Sequence, residues 1–400
     1  HRSRMAALSG ASPMAVNPID YDFNYPLSAK CIVSPDKMAT ELASILKALS
    51  ETSAVAISEE VKTKVQSAKV NDTHRQIADK LGSTDNAIVL LGNLATAHPQ
   101  FSLLRTLAGE IAKASNSKLG YLSESANNSG AWLVGAVSHR RTGGEKNSVA
   151  GLNALEMLQS KLKCYLLMGI EPELDCWDSA AAIDAMNNAD CIISLTPFRS
   201  ETIEAYADIM LPISVFTETS GSYINNEGTV QSFAGVVPPL GEARPAWKVL
   251  RVFGNYFELD GFAYQSSQDV YAEAMQKIGD VKGDNIDQWQ TSISLDINGS
   301  GLQRISETPM NMVDALCRRA PALQQTNDTS DSVIYMNTEL AAQTKLATDD
   351  QAKVEQDENS VDLKVIVDDR IADNCVLIQS AHPATVSLGA AFGPIRVSKS

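Results

Sequence analysis

The chain has 400 residues, of which 44% are hydrophobic and 20% are charged, and its formal net charge is −15. At roughly 150 residues per domain this length predicts two or three domains, and the apolar content excludes wholesale disorder. The acidic excess argues against a nucleic-acid partner, which would require clustered lysine and arginine. No apolar run reaches the roughly 18 residues that a membrane-spanning helix needs, so we expect no direct membrane insertion.

The first part of the chain alternates between helix and strand patterns. A helix is predicted from Pro35, because proline is favoured at the first helical position and apolar residues then recur on one face. A second helix is predicted over the sixties to eighties, ending near Gly82. Residues 87–91 form a short apolar run, typical of a buried parallel strand, and His98-Pro99 precedes another amphipathic helix.

The same alternation returns in the middle of the chain. It predicts strands and helices at 163–168, 179–188, 190–195, 202–207 and 208–212. Such alternation implies β-α-β units and a mostly parallel sheet, in which ligands bind at the carboxyl ends of strands. The candidate ligand loops are therefore residues 92–99, 169–175 and 196–202.

The sequence changes in character from about residue 280. Residues 280–301 are polar, and residues 324–331 (QQTNDTSD) are predicted to be a linker. The last 70 residues are predicted to be a small β-rich unit, with a helix and strands at 333–336, 338–346, 361–367 and 375–378.

The six cysteines show no metal-binding or redox spacing. No two lie closer than 12 positions apart, so neither a C-x-x-C pair nor an iron–sulfur run is present. We expect each to be a small buried apolar side chain in a reduced compartment, and we expect no metal site. Their positions are Cys31, Cys164, Cys176, Cys191, Cys317 and Cys375.

Familiar catalytic and phosphate-binding motifs are also missing from the sequence. There is no phosphate loop and no Gly-x-Ser-x-Gly elbow, and the G-x-G of residues 299–301 lacks its third glycine. Gly143-Gly144 has two interpretations, a small anion-binding nest or a flexible surface loop, and we favour the loop. His98 and His382 each precede a proline, and we expect both to make loop or capping hydrogen bonds.

The densest motif lies at residues 217–231 (TETSGSYINNEGTVQ). Glycine supplies positive φ, and asparagine tolerates it and hydrogen-bonds to its own backbone, so this composition predicts a compact, self-bonded turn. Its backbone and amide groups could instead line a polar ligand cleft. From the chemistry alone we favour the structural interpretation.

This motif resembles a known superfamily. Residues 207–212 (ADIMLP), Glu218 and then Gly221-x-x-x-Asn225-x-Glu227-Gly228-x-x-Gln231 are similar to the molybdopterin oxidoreductases. The longer segment 216–251 resembles the 75 kDa-type subunit of NADH–quinone oxidoreductase (respiratory complex I). Further segments in the same order are similar to that family, namely 91–95, His98-Pro99, 167–175, 381–385 and Gly393-Pro394.

The resemblance implies an α/β fold of molybdopterin-oxidoreductase-like parallel-sheet lobes, followed by a small β-rich, barrel-like C-terminal unit. The implied domains are residues 1–323, N-terminally truncated and built of two interleaved lobes, a linker at 324–331, and an abbreviated pterin-dinucleotide-binding-like domain at 332–400. The chain would be the C-terminal portion of its subunit. The [2Fe–2S] and [4Fe–4S] clusters of the family would then lie in the missing N-terminal part.

One departure from the superfamily bears on chemistry. Active members hold molybdenum or tungsten through a Cys, selenocysteine, Ser or Asp in an upstream lobe, and no residue here aligns with that ligand. We therefore expect no catalytic residue, no metal ligand and no bound cofactor in this portion. The candidates for a vestigial cofactor cleft are Gly169, Glu171, Glu218, Gly221, Asn225, Glu227 and Gly228.

The resulting hypothesis is a redox-inactive scaffold in a subunit that carries electrons from NADH and flavin towards quinone. The expected partners are other subunits of the NADH-dehydrogenase arm of complex I, on the cytoplasmic face of the bacterial inner membrane. A fragment of an active molybdopterin oxidoreductase, such as a formate dehydrogenase, is the alternative. A nucleotide-binding α/β protein is a third possibility, but it would need a phosphate loop. For a truncated chain we also expect an exposed apolar patch and self-association.

Overall fold

The computed structural model describes residues 1–52, 58–280, 293, 295, 301–326 and 332–400. Sixteen α-helices lie in these ranges. They are α1 (Arg2–Leu8), α2 (Pro35–Thr52), α3 (Glu59–Val65), α4 (Asp72–Gly82), α5 (Asn93–Thr96), α6 (Phe101–Ala114), α7 (Asn128–Leu133), α8 (Ala154–Gln159), α9 (Pro172–Asp175), α10 (Ser179–Asn187), α11 (Glu201–Tyr206), α12 (Ala246–Tyr256), α13 (Ser267–Ile278), α14 (Ala315–Arg318), α15 (Pro321–Gln324) and α16 (Thr338–Thr344).

The described residues also contain sixteen strands. They are β1 (Met14–Asn17), β2 (Ala29–Ile32), β3 (Ile88–Leu91), β4 (Lys118–Tyr121), β5 (Cys164–Met168), β6 (Cys191–Thr196), β7 (Ile209–Pro212), β8 (Gly221–Ile224), β9 (Val230–Phe233), β10 (Gln303–Ile305), β11 (Val333–Met336), β12 (Gln351–Gln356), β13 (Asn359–Val367), β14 (Cys375–Ile378), β15 (Gly393–Pro394) and β16 (Arg396–Lys399). None of the described helices has the length and apolar character needed to cross a membrane.

The described residues divide into two compact units. One comprises the described parts of His1–Leu122, Asn285–Pro309 and Ser330–Ser400, and the other those of Ser123–Asp284 and Met310–Thr329. The predicted boundaries at 323 and 332 stay predictions. The predicted linker lies largely outside the described residues, as does most of the polar segment 280–301.

The first unit contains two short parallel strand pairs, β1–β2 and β3–β4, beside a helical core. Its core is centred on α2, which packs against α4 and α6 through fully buried side chains such as Leu46, Leu49 and Leu104. The helix predicted from Pro35 is confirmed. The single helix predicted before Gly82 is wrong: it is two helices, because Asn71 starts α4 with a reciprocal cap in which its side chain and that of His74 bond each other's backbone N–H.

A seven-stranded sheet forms the C-terminal part of the first unit. Its strand order is β15-β10-β14-β11-β13-β12-β16, so the two edge strands are adjacent in sequence and only Ile395 separates them. The sheet is therefore nearly closed, as the predicted barrel-like unit requires. The prediction confined this unit to the last 70 residues, but β10 lies between β14 and β15 in the sheet.

The second unit is built on a parallel three-stranded sheet in the order β5-β6-β7. One face carries Tyr165, Leu167 and Ile192, which pack against α8 and α10. The mostly parallel β-α-β organisation predicted from the alternating pattern is confirmed. The antiparallel hairpin β8–β9 carries most of the 217–231 motif.

The other face of this sheet is apolar and exposed. Leu166, Met168 and Ile209 are each close to half exposed, and Ile193 lies between Leu166 and Ile209 in register. Parallel sheets are ordinarily covered on both faces, so this face has the character of an interaction surface. The expected exposed apolar patch is therefore present in the structure.

We predict that the isolated chain self-associates through this face. Replacing Leu166 by lysine should raise the dissociation constant about tenfold, since it removes roughly 1.5 kcal/mol of apolar burial. Sedimentation velocity over a wide concentration range measures the effect. Leu240→Lys is the matched control, because Leu240 is highly exposed but lies outside the sheet. Monomeric behaviour of the unmodified chain at all concentrations would contradict the prediction.

Candidate functional site

The loop after β5 is the candidate ligand loop that the structure defines best. Gly169 ends the strand with a φ of +66°, and its N–H donates to the carbonyl of Leu195 on β6 at 2.8 Å. A side chain at this position would adopt a strained backbone conformation, although no other atom lies near enough to contact its Cβ. The glycine is thus explained by the turn itself, which leads the chain into α9.

Glu171, in this loop, is buried and ion-paired with two arginines. Its Oε1 lies 2.5 Å from Nη2 of Arg319, and its Oε2 lies 2.9 Å from Nη2 of Arg318. The side chains of Glu171 and Arg318 are 4% and 5% exposed. A buried charge is costly unless it is paired and hydrogen-bonded, and here both carboxylate oxygens meet that requirement.

The two arginines also hold neighbouring groups at the same edge of the sheet. Arg318 Nη1 donates to Asp175 Oδ1 at 2.9 Å, and the Arg319 guanidinium lies 4.9 Å from the ring centre of Phe198. Phe198 belongs to the loop after β6, so one short segment of the chain covers two of the predicted ligand loops. Sequence reasoning missed both arginines, because 147 residues separate Glu171 from Arg318 and no motif links them.

The pKa values of two acidic residues in this loop, Glu171 and Glu173, are shifted in opposite directions. Burial by itself would raise the pKa of Glu171, but the hydrogen bonds and charges of Arg319 and Arg318 outweigh it and lower that pKa. Burial raises the pKa of Glu173, and the nearby charges of Glu171 and Asp175 add to that effect. Tyr206 donates a hydrogen bond to Glu173 at 3.2 Å, which only partly offsets the burial.

The 217–231 motif forms the self-bonded turn that its composition predicts. Oδ1 of Asn225 accepts hydrogen bonds from the backbone N–H groups of Glu227 and Thr229, at 3.0 and 2.9 Å. Gly228 follows with a φ of +80°, which favours glycine. Glu218 lies in a short 3₁₀ turn and Glu227 at the exposed tip of the hairpin.

Gly221 in this motif is explained by a close approach between strands. Its cross-strand partner is Phe233, and a Cβ at Gly221 would lie 2.7 Å from the Phe233 ring. The hairpin is also tied to the chain before α7, since the N–H of Ile224 donates to Asn127 Oδ1 at 2.9 Å. The vestigial-cleft candidates therefore fall into two groups, Gly169 with Glu171 after β5, and the other five in or just before the β8–β9 hairpin.

The remaining loop candidates are also accounted for by local hydrogen bonds. The N–H groups of Gly143 and Gly144 donate to the carbonyls of Leu133 and Arg141, so neither is directed at an anion. Nδ1 of His98 and of His382 each accept a backbone N–H two residues further on. The loop interpretation of the glycines and the capping role of both histidines are confirmed.

One cluster of metal-capable side chains was not predicted. In the part of the chain that the structure describes, Cys31, Glu41 and His74 are the only such group, with ligand atoms within 4.8 Å of one another. Nδ1 of His74 accepts the backbone N–H of Asn71, so Nε2 carries the proton and donates to Glu41 at 2.8 Å. Neither ring nitrogen is then free to bind a metal. Burial and the adjacent Glu41 carboxylate raise the pKa of Cys31 to about 12, which keeps it a thiol.

Comparison with known proteins identifies the fold and the family of this chain. The structure resembles acetylene hydratase from Pelobacter acetylenicus, with a TM-score of 0.67 over 99% of this chain and 75% of that one, at 12% sequence identity. The sequence matches the family description "Molybdopterin oxidoreductase" over residues 3–256, and the molybdopterin dinucleotide-binding domain over residues 312–395. The first match covers more than half of the chain, which therefore belongs to the molybdopterin oxidoreductase family.

Within that family, the chain is similar in sequence to subunits of NADH-ubiquinone oxidoreductase and to a putative formate dehydrogenase. The chain is 26% identical over 180 residues to the NADH-ubiquinone oxidoreductase 78 kDa subunit of Candida albicans, covering 45% of this chain and 22% of that protein. It is 27% identical over 195 residues to the NADH dehydrogenase [ubiquinone] iron-sulfur protein 1 of Solanum tuberosum, covering 44% and 26%. It is also 27% identical over 135 residues to the putative formate dehydrogenase YrhE of Bacillus subtilis, covering 33% and 14%. These matches span about a quarter or less of each relative's length.

The family implies a molybdopterin cofactor, which the side chains at the edge of the β5–β7 sheet do not fit. A pterin dinucleotide is anionic through its phosphates, whereas the loop after β5 supplies carboxylates, of which Glu171 and Glu173 are buried at 3% and 5% exposure. The guanidinium groups that could attract phosphate already bind Glu171 and Asp175. The amide oxygen of Asn225 is likewise occupied by two backbone donors.

Two isosteric variants test this arrangement. Glu171→Gln should lower the free energy of unfolding at pH 7 by on the order of 3 kcal/mol, because it leaves the buried Arg318 and the partly buried Arg319 underpaired. Glu173→Gln should not lower it, because it removes a buried charge whose pKa is raised. Urea denaturation of both variants beside the unmodified chain measures the difference.

The pH dependence of folding stability provides an independent test of the Glu171 ion pairs. Since the pKa of Glu171 in the folded chain lies below its ordinary value of 4.5, its stabilising contribution is present above pH 4.5. It is lost as the pH falls through the lowered pKa. The destabilisation by Glu171→Gln should therefore shrink in acid. A constant difference from pH 7 down to pH 3 would contradict the ion pairing.

Proposed function

We propose that this chain is a redox-inactive scaffold region of the complex I subunit to which its relatives from Candida and Solanum correspond. The observation that carries the proposal is the closure of the β5–β7 sheet edge by Arg318 and Arg319. In a parallel sheet this edge is where ligands bind. Here its buried carboxylate is paired with the chain's own arginines, so ligand phosphates would have to displace two ion pairs.

The cysteine pattern supports the same proposal. Electron transfer between clusters needs ligated iron, and cluster ligation uses closely spaced cysteines, which this sequence does not contain. In this proposal the iron–sulfur clusters that pass electrons from NADH and flavin towards quinone are held outside this chain. This portion then contributes packing surface rather than redox groups.

We further propose that the partners are other subunits of the NADH-dehydrogenase arm, at the cytoplasmic face of a bacterial inner membrane. The exposed apolar face of the β5–β7 sheet supports a role in assembly, because it offers Leu166, Met168 and Ile209 to a neighbouring surface. The acidic net charge of −15 favours partners with basic surfaces over anionic ones.

Cofactor content tests the scaffold proposal. The chain is purified anaerobically and analysed for molybdenum, tungsten, iron and zinc, with an absorbance spectrum and a pterin assay after oxidative release. We expect colourless protein with none of these metals in stoichiometric amount and no pterin. A molybdenum enzyme purified from the same host serves as the control that cofactor was available.

The alternative function predicts the opposite result. The similarity to the putative formate dehydrogenase of Bacillus subtilis favours an active molybdopterin oxidoreductase as that alternative. Stoichiometric molybdenum or tungsten together with pterin would support it and overturn the scaffold proposal. Co-elution of the chain with purified NADH-dehydrogenase arm subunits, weakened by Leu166→Lys but not by Leu240→Lys, is the accompanying test of the proposed partners.

A further inference from the structure

Two cysteines lie side by side where the parallel sheet of the second unit begins. Cys164 is the first residue of β5 and Cys191 is the first residue of β6, and the two are register partners. They are 27 positions apart in sequence, so no spacing motif reveals them. Residues paired in register on neighbouring strands point to the same face of a sheet, so both thiols lie on one side.

The geometry of this pair suits a disulfide. Neighbouring strands are separated by about 4.8 Å, which falls within the Cα–Cα range of roughly 4.4–6.8 Å that disulfides span. The neighbouring Cys164 side chain also raises the pKa of Cys191, as expected for thiols on paired residues.

Accessibility distinguishes Cys164 from the other five cysteines. Cys164 is exposed, whereas Cys31 and Cys375 are buried. The expectation that every cysteine is buried is therefore wrong at Cys164, because it lies on the uncovered face of the sheet. Cys176 and Cys317 are half-buried, and burial with nearby carboxylates raises the pKa of each, that of Cys176 to about 11.

The surroundings assign different roles to the two thiols. Partial burial, the neighbouring Cys164 and the negative charge of Asp208 raise the pKa of Cys191. The exposed Cys164 meets reagents from solution first, whereas Cys191 is half-buried. This is the usual division between an attacking thiol and a resolving thiol.

We propose that Cys164 and Cys191 form a dithiol that a hydroperoxide oxidises to an intramolecular disulfide. The Cys164 thiolate attacks the terminal peroxide oxygen, the O–O bond breaks, and Cys164 becomes a sulfenic acid as the peroxide is reduced to water or an alcohol. The Cys191 sulfur then attacks the Cys164 sulfur, the S–O bond breaks, and the leaving hydroxide takes the Cys191 proton as water. Two electrons and two protons leave the dithiol in total.

This site is separate from the candidate cofactor cleft. The cysteines start the strands, whereas Gly169 and Glu171 follow the other end of β5, about 13 Å away along a five-residue strand. The modification would link β5 covalently to β6 beside the exposed Leu166. It does not depend on the proposed scaffold function, and either proposal can fail without the other.

Mass spectrometry of the intact chain tests the disulfide. The reduced protein is treated with hydrogen peroxide at low molar excess, its remaining thiols are alkylated, and it is analysed without reduction. We expect two fewer alkylated thiols than in the untreated protein and a single cross-linked peptide pair that joins Cys164 to Cys191. Dithiothreitol followed by alkylation in denaturant should modify all six cysteines.

Variants and a proximity probe make the test decisive. Cys164→Ser and Cys191→Ser should each abolish the cross-link, whereas Cys176→Ser should leave it unchanged. A trivalent arsenical bridges only adjacent thiols, so on the unmodified chain it should protect both cysteines from alkylation at one equivalent. Cross-links between two chains, or sulfinic acid on Cys164 beside a free Cys191, would overturn the proposal.

Discussion

A buried carboxylate beside a parallel sheet has to be neutralised, and in this protein the chain's own arginines neutralise it. Glu171 lies at the end of a strand where the fold would otherwise offer an open edge, and it is almost fully excluded from solvent. Two consecutive arginines from a distant segment supply the counter-charge, and one of them also covers Phe198. The two arginines thereby join the loops after β5 and β6 at this edge of the sheet.

Belonging to this family does not by itself establish which chemistry the chain performs. The fold and the sequence match place the chain among the molybdopterin oxidoreductases. What a member does depends on the groups at the strand ends, because a fold hosts many functions. Here those groups satisfy one another, and the 217–231 hairpin satisfies its own backbone through Asn225. This self-sufficiency is the observation on which the proposed scaffold role rests.

Much of the fold was predictable because local signals agree with the tertiary structure. Proline at position 35, the apolar run ending at Leu91 and the alternation within 361–367 each mark an element that forms. Predictions failed where long-range pairing decides. The strand Gln303–Ile305 joins a sheet whose other strands all lie within residues 333–399. No local sequence pattern predicts this pairing. The break between α3 and α4 depends on the reciprocal cap of Asn71 and His74, whose histidine lies outside the usual capping sequences.

The candidate site was predictable only in part, for a related reason. Glycine at 228 and asparagine at 225 favour a turn through their own chemistry, so composition alone predicts the self-bonded turn but not the strands on either side of it. The pairing of Glu171 with Arg318 and Arg319, and of Cys164 with Cys191, arises from topology. A single sequence contains no signal for either pair. Both are nevertheless the features on which the functional interpretation of the second unit depends.

A double-mutant cycle on the ion pair that closes the sheet edge would measure how strongly the two side chains depend on each other. Glu171→Gln and Arg319→Met are combined, methionine being chosen because it keeps the contact with Phe198, and unfolding free energies are measured for all four proteins. We predict a coupling energy of about 1–3 kcal/mol, as expected for groups in one buried network. Additivity within about 0.5 kcal/mol would mean that the two side chains act independently, and it would contradict the closure of this edge by the chain's own arginines.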